Sequence, residues 1–376
     1  MRWLSAALAA ALGVAGCAGP AAKPPAVVKT SPPPPAVKKA PAARIALSEE
    51  ERAAAEAALQ LGLRYSSGSG VPKDNAQAFS WFKRAANAGL AEGQSAVASC
   101  YLYGLGVPKN DATAAQWYGK AAAQGNALAQ VRLGALYFSG RGVVQDDRKA
   151  ANFFARAAAS GDLQGKYNLA LLRLVGRGVA LDRPKAIATI METARAGLPD
   201  AQIKLAAMYF QGVGLKKDQA QAMVWVRKAA EQDDPIGQAS LAAEYVRGVL
   251  LPKNEALAFS WMTKSAAHGE PEHLYELSRF HSAGLGTAKN PVEAVRLLKQ
   301  SSELGYALAQ YSLALCYSSG DGVARNQEEA AKWFRLAAAQ GAADKPAAAT
   351  TRATAGYASS SQPVTSVIPG RSIINP

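Results

Sequence analysis

The sequence predicts an all-α fold, an α/α superhelical solenoid of about eight helical hairpins of 36 residues each. Three observations predict it: a period of 36 that never slips, a pair of turn glycines repeated in it, and an alanine and an aromatic at fixed offsets behind that pair. Gly-x-Gly stands at 68/70, 104/106, 140/142, 176/178, 212/214, 284/286 and 320/322, and the remaining copy reads Gly248-Val249-Leu250. Six residues after the first glycine comes Asp or Asn in every copy: Asp74, Asn110, Asp146, Asp182, Asp218, Asn254, Asn290 and Asn326. Four further on is alanine, from Ala78, Ala114 and Ala150 through to Ala330. An aromatic column follows at Trp81, Trp117, Phe153, Trp225, Trp261 and Trp333, with Thr189 and Leu297 as departures.

These residues build one hairpin each time. Ser48 with Glu51 three residues on forms a capping box that opens the first helix, which continues through Ala53, Ala57, Leu61 and Tyr65. The first glycine ends such a helix by adopting φ > 0, and the Asp or Asn caps the next helix by accepting its free N–H groups. That second helix stops at Gly89, Gly125, Gly161, Gly197, Gly269, Gly305 and Gly341, with Asp233 standing in once. Alanine lets two backbones approach where helices cross, and the tryptophan column is expected to fill the groove between neighbouring hairpins. A single hairpin cannot bury its own apolar stripe, so the copies must stack. Copies four and seven are the weakest. Arg173 and His281 replace a tyrosine there, and Thr189 and Leu297 replace the tryptophan, which predicts looser stacking.

Composition agrees and removes some functions. Of 376 residues 49% are hydrophobic and 19% charged, too apolar for a disordered chain. Three Cys cannot make a disulfide framework, and three His argue against a metal enzyme. The net charge of +14 lies mostly outside the repeats: residues 48–341 hold 33 basic against 27 acidic side chains, an excess of only 6. Nucleic acid is therefore not an expected partner.

The N-terminus reads as an address. Arg2 precedes the largely apolar run Trp3 to Val14, about 18 Å as a helix and short of a ~30 Å hydrocarbon core, so residues 1–16 are expected to be a signal peptide. Val14-Ala15-Gly16-Cys17 resembles the bacterial lipoprotein lipobox, which implies that Cys17 carries a lipid. Acyl chains at ~0.8 kcal/mol per buried methylene would hold the protein on a bilayer. Ala18, where inner-membrane retention uses Asp, implies an outer-membrane lipoprotein facing the periplasm by Gram-negative sorting rules. Residues 17–47, with Ser31-Pro32-Pro33-Pro34-Pro35, read as an extended Pro/Ala/Lys-rich linker that can reach roughly 90 Å. Residues 342–376 read as a degenerate capping helix followed by a disordered tail.

The repeat pattern resembles the Sel1-like repeat, a relative of the tetratricopeptide repeat, over residues 48–341. In one copy it stands as Leu205, Ala206, Tyr209, Gly212, Gly214, Asp218, Ala222, Trp225, Ala229 and Ala230. The resemblance implies an α/α superhelical adaptor that binds other proteins, often exported in bacteria, with some lipoprotein relatives serving polysaccharide secretion. A cysteine-rich branch linked to penicillin binding has paired cysteines that this chain lacks.

No catalytic residue, cofactor or metal site is expected. Ser80-Trp81-Phe82-Lys83 matches S-x-x-K, but the equivalent pairs are Gln116/Gly119, Asn152/Ala155 and Lys332/Arg335, and no S-D-N or K-T-G accompanies it. The glycine pairs do not continue into a phosphate-binding motif. His268, His273 and His281 include no i, i+4 pair. Cys100 and Cys316 lie six periods apart, too far for a disulfide, and read as core thiols.

Function must then rest on surface. By the tetratricopeptide register, the concave columns of each first helix run through positions 92, 95, 99 and 102. They supply Phe138, Tyr167, Ile203, Phe210, Tyr275, Arg279 and Tyr311 as candidate partner-binding residues. Two alternatives stay open, an exposed apolar face or packing against the next hairpin. A rival face carries Tyr103, Arg132, Asn168, Lys204, Gln211, Arg247 and Glu276, either as a specific groove or as solvated surface. The expected function is a non-enzymatic envelope scaffold for protein partners. The alternatives are a binder of peptidoglycan or secreted polysaccharide and, behind it, an enzyme acting on cell-wall material or β-lactams.

Overall fold

The computed structural model describes residues 48–341; the expected signal peptide, lipidated Cys17, linker, capping helix and tail lie outside the described residues. Among the described residues there are sixteen helices, paired into eight hairpins, and no strand. The first four hairpins are α1 (Glu49–Ser67) with α2 (Asn75–Asn87), α3 (Ala91–Tyr103) with α4 (Asp111–Ala123), α5 (Ala127–Ser139) with α6 (Asp147–Ala159), and α7 (Leu163–Val175) with α8 (Arg183–Arg195). The others are α9 (Pro199–Gln211) with α10 (Gln219–Glu231), α11 (Pro235–Arg247) with α12 (Glu255–Ala266), α13 (Pro271–Ala283) with α14 (Pro291–Glu303), and α15 (Ala307–Ser319) with α16 (Gln327–Ala339). The described chain divides between Asp182 and Arg183 into two compact units. That division falls in the loop of hairpin four, one of the two copies with the weakest pattern.

The helix ends follow from the residues that mark them. Ser48 Oγ accepts the Glu51 N–H at 3.2 Å while the Glu51 carboxylate accepts the Ser48 N–H at 3.0 Å, a complete capping box. Asp74 accepts the N–H groups of Ala76 and Gln77, and Asn110, Asp146, Asp218, Asn254, Asn290 and Asn326 each accept the N–H three residues on. The first glycine of each pair sits in the left-handed region, as at Gly140 with φ 70°. The second glycine has a further reason. A Cβ on Gly142 would overlap the backbone of Asp111 at the start of α4, one hairpin back, so hairpins approach there too closely for any side chain.

Where the second glycine is lost, the chain compensates. Leu250 stands in its place, and the buried Glu244 carboxylate accepts the N–H of Val249 at 2.9 Å, of Leu250, and of Leu251 at 3.4 Å. Arg247 pairs with the same carboxylate at 3.3 Å. A charged acceptor thus satisfies a loop that the other copies shape with glycine.

The alanine column lies in the core, as its spacing predicts. The tryptophan column packs into the seam between hairpins, as expected, but only at its edge. The buried column is the next one, Phe82, Tyr118, Phe154, Ile190, Val226, Met262 and Leu298, while Trp81, Trp117, Trp225, Trp261 and Trp333 are half-buried. Helix geometry explains the difference. Four residues beyond the alanine is a turn of about 40° from it, but three residues is about 60° the other way, at the edge of the apolar stripe.

The tryptophans hold cations on their open side. Lys83 and Lys120 lie 4.4 and 4.0 Å from the Trp117 ring centre, Lys228 4.4 Å from that of Trp225, and Lys264 4.5 Å from that of Trp261. Arg84 on Trp81 and Arg156 on Phe153 repeat the offset of three. Copies four and seven carry Glu192 and Gln300 at that offset, so aromatic and cation are lost together.

A glutamine column adds a second seam. Gln94, Gln130, Gln202, Gln238 and Gln310 donate to the carbonyls of Ala86, Ala122, Ala194, Ala230 and Ser302 at 3.1–3.5 Å. These bonds tie each hairpin to the one before, and Gln124, Gln232 and Gln340 then donate to Gln94, Gln202 and Gln310 at 2.9–3.0 Å, tying the two helices of the same hairpin. In copies four and seven the column reads Lys166 and Leu274.

Candidate interaction surfaces

The first-helix columns divide by burial. Tyr167 and Ile203 are 4% and 3% exposed, and for these two the alternative of packing holds, since they leave little surface for a partner. Phe138, Phe210, Tyr275 and Tyr311 are half-buried and Arg279 is exposed. The rival face also divides, with Tyr103 and Gln211 exposed and Arg247 half-buried at its C-terminal end while the rest is covered. Arg132, Asn168, Lys204, Ser240 and Glu276 are all buried, Lys204 to 1% exposure. Burial disfavours its charge and pulls the Lys204 amine down to about 8.

Each compact unit gathers its own cluster of half-open groups. In the N-terminal unit, the guanidinium of Arg177 lies 4.1 Å from the Phe138 ring centre and makes two bonds of 2.9 and 2.8 Å to Asp147, one hairpin back. In the C-terminal unit, Arg279 reaches the buried Glu276 carboxylate at 3.2 Å. Burial pushes the Glu276 carboxyl up, and the Arg279 charge opposes that shift. Tyr275 packs edge-on against Tyr306 at 5.4 Å, and Tyr311 against Phe334 at 5.3 Å. Burial raises both the Tyr275 and Tyr306 hydroxyls, which remain neutral donors.

The lysine, two of the histidines and the cysteines that the sequence singled out are placed as follows. Lys83 of the S-x-x-K run turns onto Trp117, away from nucleophile activation at Ser80. His268 bonds Asp233 at 3.1 Å and His273 lies 3.7 Å from Glu270, so they face different carboxylates. Cys100 and Cys316 are free thiols, and burial pushes them up to about 12 and about 11, leaving no thiolate at neutral pH.

One further concavity lies in the C-terminal unit. An open cleft of about 700 Å³ is bounded by α12, α13 and α14, with Phe259, Leu274, Leu277, His281 and Leu297 in its lining.

A chain of stacked, capped, 36-residue helical hairpins is an α-helical repeat protein. The Sel1 repeat matches residues 55–90, 91–126, 127–162, 164–188, 199–234, 235–270, 272–306 and 307–341, and the chain belongs to the Sel1 repeat family, whose members serve as protein-interaction scaffolds. Among solved structures, a Sel1 repeat protein from Oxalobacter formigenes is 27% identical, with a TM-score of 0.50, over 76% of this chain and 83% of that one. A protective antigen of uropathogenic Escherichia coli with an SLR fold is 33% identical, with a TM-score of 0.48, over 78% of this chain. The matched part spans 64% of the length of that antigen. No curated protein matches the sequence.

Proposed function

We propose that this chain is a non-enzymatic adaptor of the bacterial cell envelope, held to the outer membrane by a lipid on Cys17 and binding protein partners in the periplasm. The observation that carries the binding role is a cluster of half-open aromatics with an arginine in each unit, Phe138 under the Arg177 guanidinium in one and Tyr275, packed on Tyr306, one helical turn from the exposed Arg279 in the other. Aromatic rings and arginines held in place by their neighbours are the groups that dominate protein interfaces. Placing a photoreactive phenylalanine at Phe138, Tyr275, Arg279 or Tyr311 in living cells tests it. A discrete protein adduct is expected, diminished by Arg279→Ala when the probe stands at Tyr275 or Tyr311; no discrete adduct at any of the four positions abandons the surface. The tether is tested separately, since Cys17→Ser should abolish palmitate labelling and release the protein from membranes.

A glycan ligand is less well supported. Sugar binding needs carboxylates open beside the aromatics, and Glu276, the carboxylate nearest Tyr275, is 2% exposed and turned to Arg279.

A further inference from the structure

The α12–α14 cleft is the seat of a missing tryptophan. In hairpin two, Trp117 packs in a cluster with Phe79, Tyr101 and Val97, between Lys83 and Lys120. Five periods on, those positions are Leu297, Phe259, His281, Leu277, Thr263 and Gln300, and all six line the cleft. The walls keep their geometry. Phe79 and Tyr101 meet edge to face at 5.4 Å and 86°, and Phe259 and His281 meet at 5.3 Å and 89°. What differs is the content: leucine for the indole, and neutral side chains for the two lysines that flank it.

We propose that this cleft takes an aromatic side chain, an indole or a phenol, from a partner protein in which a Lys or Arg stands next to that residue. Shape and charge both argue for this occupant. The retained Phe259 and His281 walls, with Leu274 and Leu277, offer the apolar contacts that Trp117 finds in hairpin two. The His281 ring stands edge-on to Phe259 at 5.3 Å, in the place that Tyr101 holds beside Phe79, and so keeps the flat aromatic wall of the seat. The rim carries Glu293, already bound to Arg296 at 2.6 Å, and the exposed Glu303. A cation supplied by the partner would fill the place of Lys83 or Lys120 and face Glu303.

This surface is separate from the first-helix face, and its test reads separately. The probe is the blocked pentapeptide Gly-Lys-Trp-Lys-Gly, titrated into the folded, isotope-labelled chain and followed by amide NMR. Saturable shifts confined to α12, α13 and α14 are expected, with at least tenfold weaker binding by Gly-Lys-Ala-Lys-Gly and by Gly-Glu-Trp-Glu-Gly. Leu297→Trp refills the seat; it should raise the thermal midpoint of the unit by about 2–4 °C and weaken the peptide at least tenfold. Should that variant not fold, the surface pair Thr263→Lys and Gln300→Lys should weaken the basic peptide at least fivefold. Shifts elsewhere, equal binding of the alanine peptide, or unchanged affinity in the variants would overturn the proposal. So would a chain lacking residues 342–376 that alone gains peptide binding, because the tail with Arg352 and Tyr357 would then be the occupant. Photocross-linking at Phe138 or Tyr275 is blind to all of these outcomes.

Discussion

Hairpins two and seven share the left-handed glycine and the asparagine cap between their helices yet differ along their seam. In hairpin two Trp117 lies between Lys83 and Lys120, and Gln124 reaches back to Gln94. In hairpin seven the matching residues are Leu297, Thr263, Gln300, Leu304 and Leu274, and the space between the helices stays open. Asn290 still caps α14 and Gly284 still ends α13 in the left-handed region. Backbone plan and seam are therefore separable. Caps, glycines and the alanine column set the stack, and the tryptophan with its cation only closes the edge.

If that division is right, the inner column should matter more than the indoles. Phe154→Ala should cost about 3–5 kcal/mol, because it opens a cavity in a closed site, whereas Trp225→Ala, half-buried, should cost about 1–2 kcal/mol. Urea unfolding of the two variants compares them directly, and a larger loss at Trp225 would reverse the assignment of core and edge. Next comes the backbone. Gly142→Ala should cost about 3 kcal/mol or more, from a left-handed φ and overlap with the Asp111 backbone. Gly125→Ala, with a similar φ but nothing within 4 Å, should cost only about 1–2 kcal/mol of strain.

A buried charge in hairpin five sharpens the comparison through pH. Lys204 falls from the usual 10.5 to about 8 in the folded chain, so below pH 8 it is charged in both states and its burial penalty is complete. Between pH 8 and 10.5 the unfolded chain keeps the proton that the folded chain has released, so stability rises with pH. Lys204→Met should accordingly add about 2–3 kcal/mol at pH 7 and flatten that rise. Chemical denaturation at pH 7 and pH 10 measures both effects. The smallest change is in the glutamine seam. Gln124→Ala should cost about 1 kcal/mol, and Leu274→Gln with Leu304→Gln should build the missing bond in hairpin seven for a similar or smaller gain.

The hairpins were legible because caps and turn glycines act locally. Asp74, Asn110 and Gly104 dictate helix ends whatever packs against them, so a fixed period reveals the fold. The order of burial was less legible. Trp repeats as an identity and draws the eye, but Phe82, Tyr118, Ile190 and Met262 repeat only as volume, and they fill the core. Gln94 and its equivalents were readable as a column, yet their role depends on a carbonyl eight residues back that only the helix crossing brings near. Glu244 gave a signal as well, a carboxylate in a column of Cys, Leu, Met and Phe, paired with the one lost glycine at Leu250. The burial of Tyr167 and Ile203 could not be read from spacing, because spacing says which residues share a face and not what covers it.

The reach of the bonds between hairpins has a consequence for the length of the molecule. Arg141 to Asp111, Arg177 to Asp147, Gln94 to Ala86 and Gln130 to Ala122 all join one hairpin to the next, at the same offset in each copy. A gene that duplicates or excises one 36-codon block hands every such bond a fresh partner of the same kind. Span can then be adjusted in whole steps without redesigning any joint, and a pulled chain should give way in matching increments of roughly 12 nm.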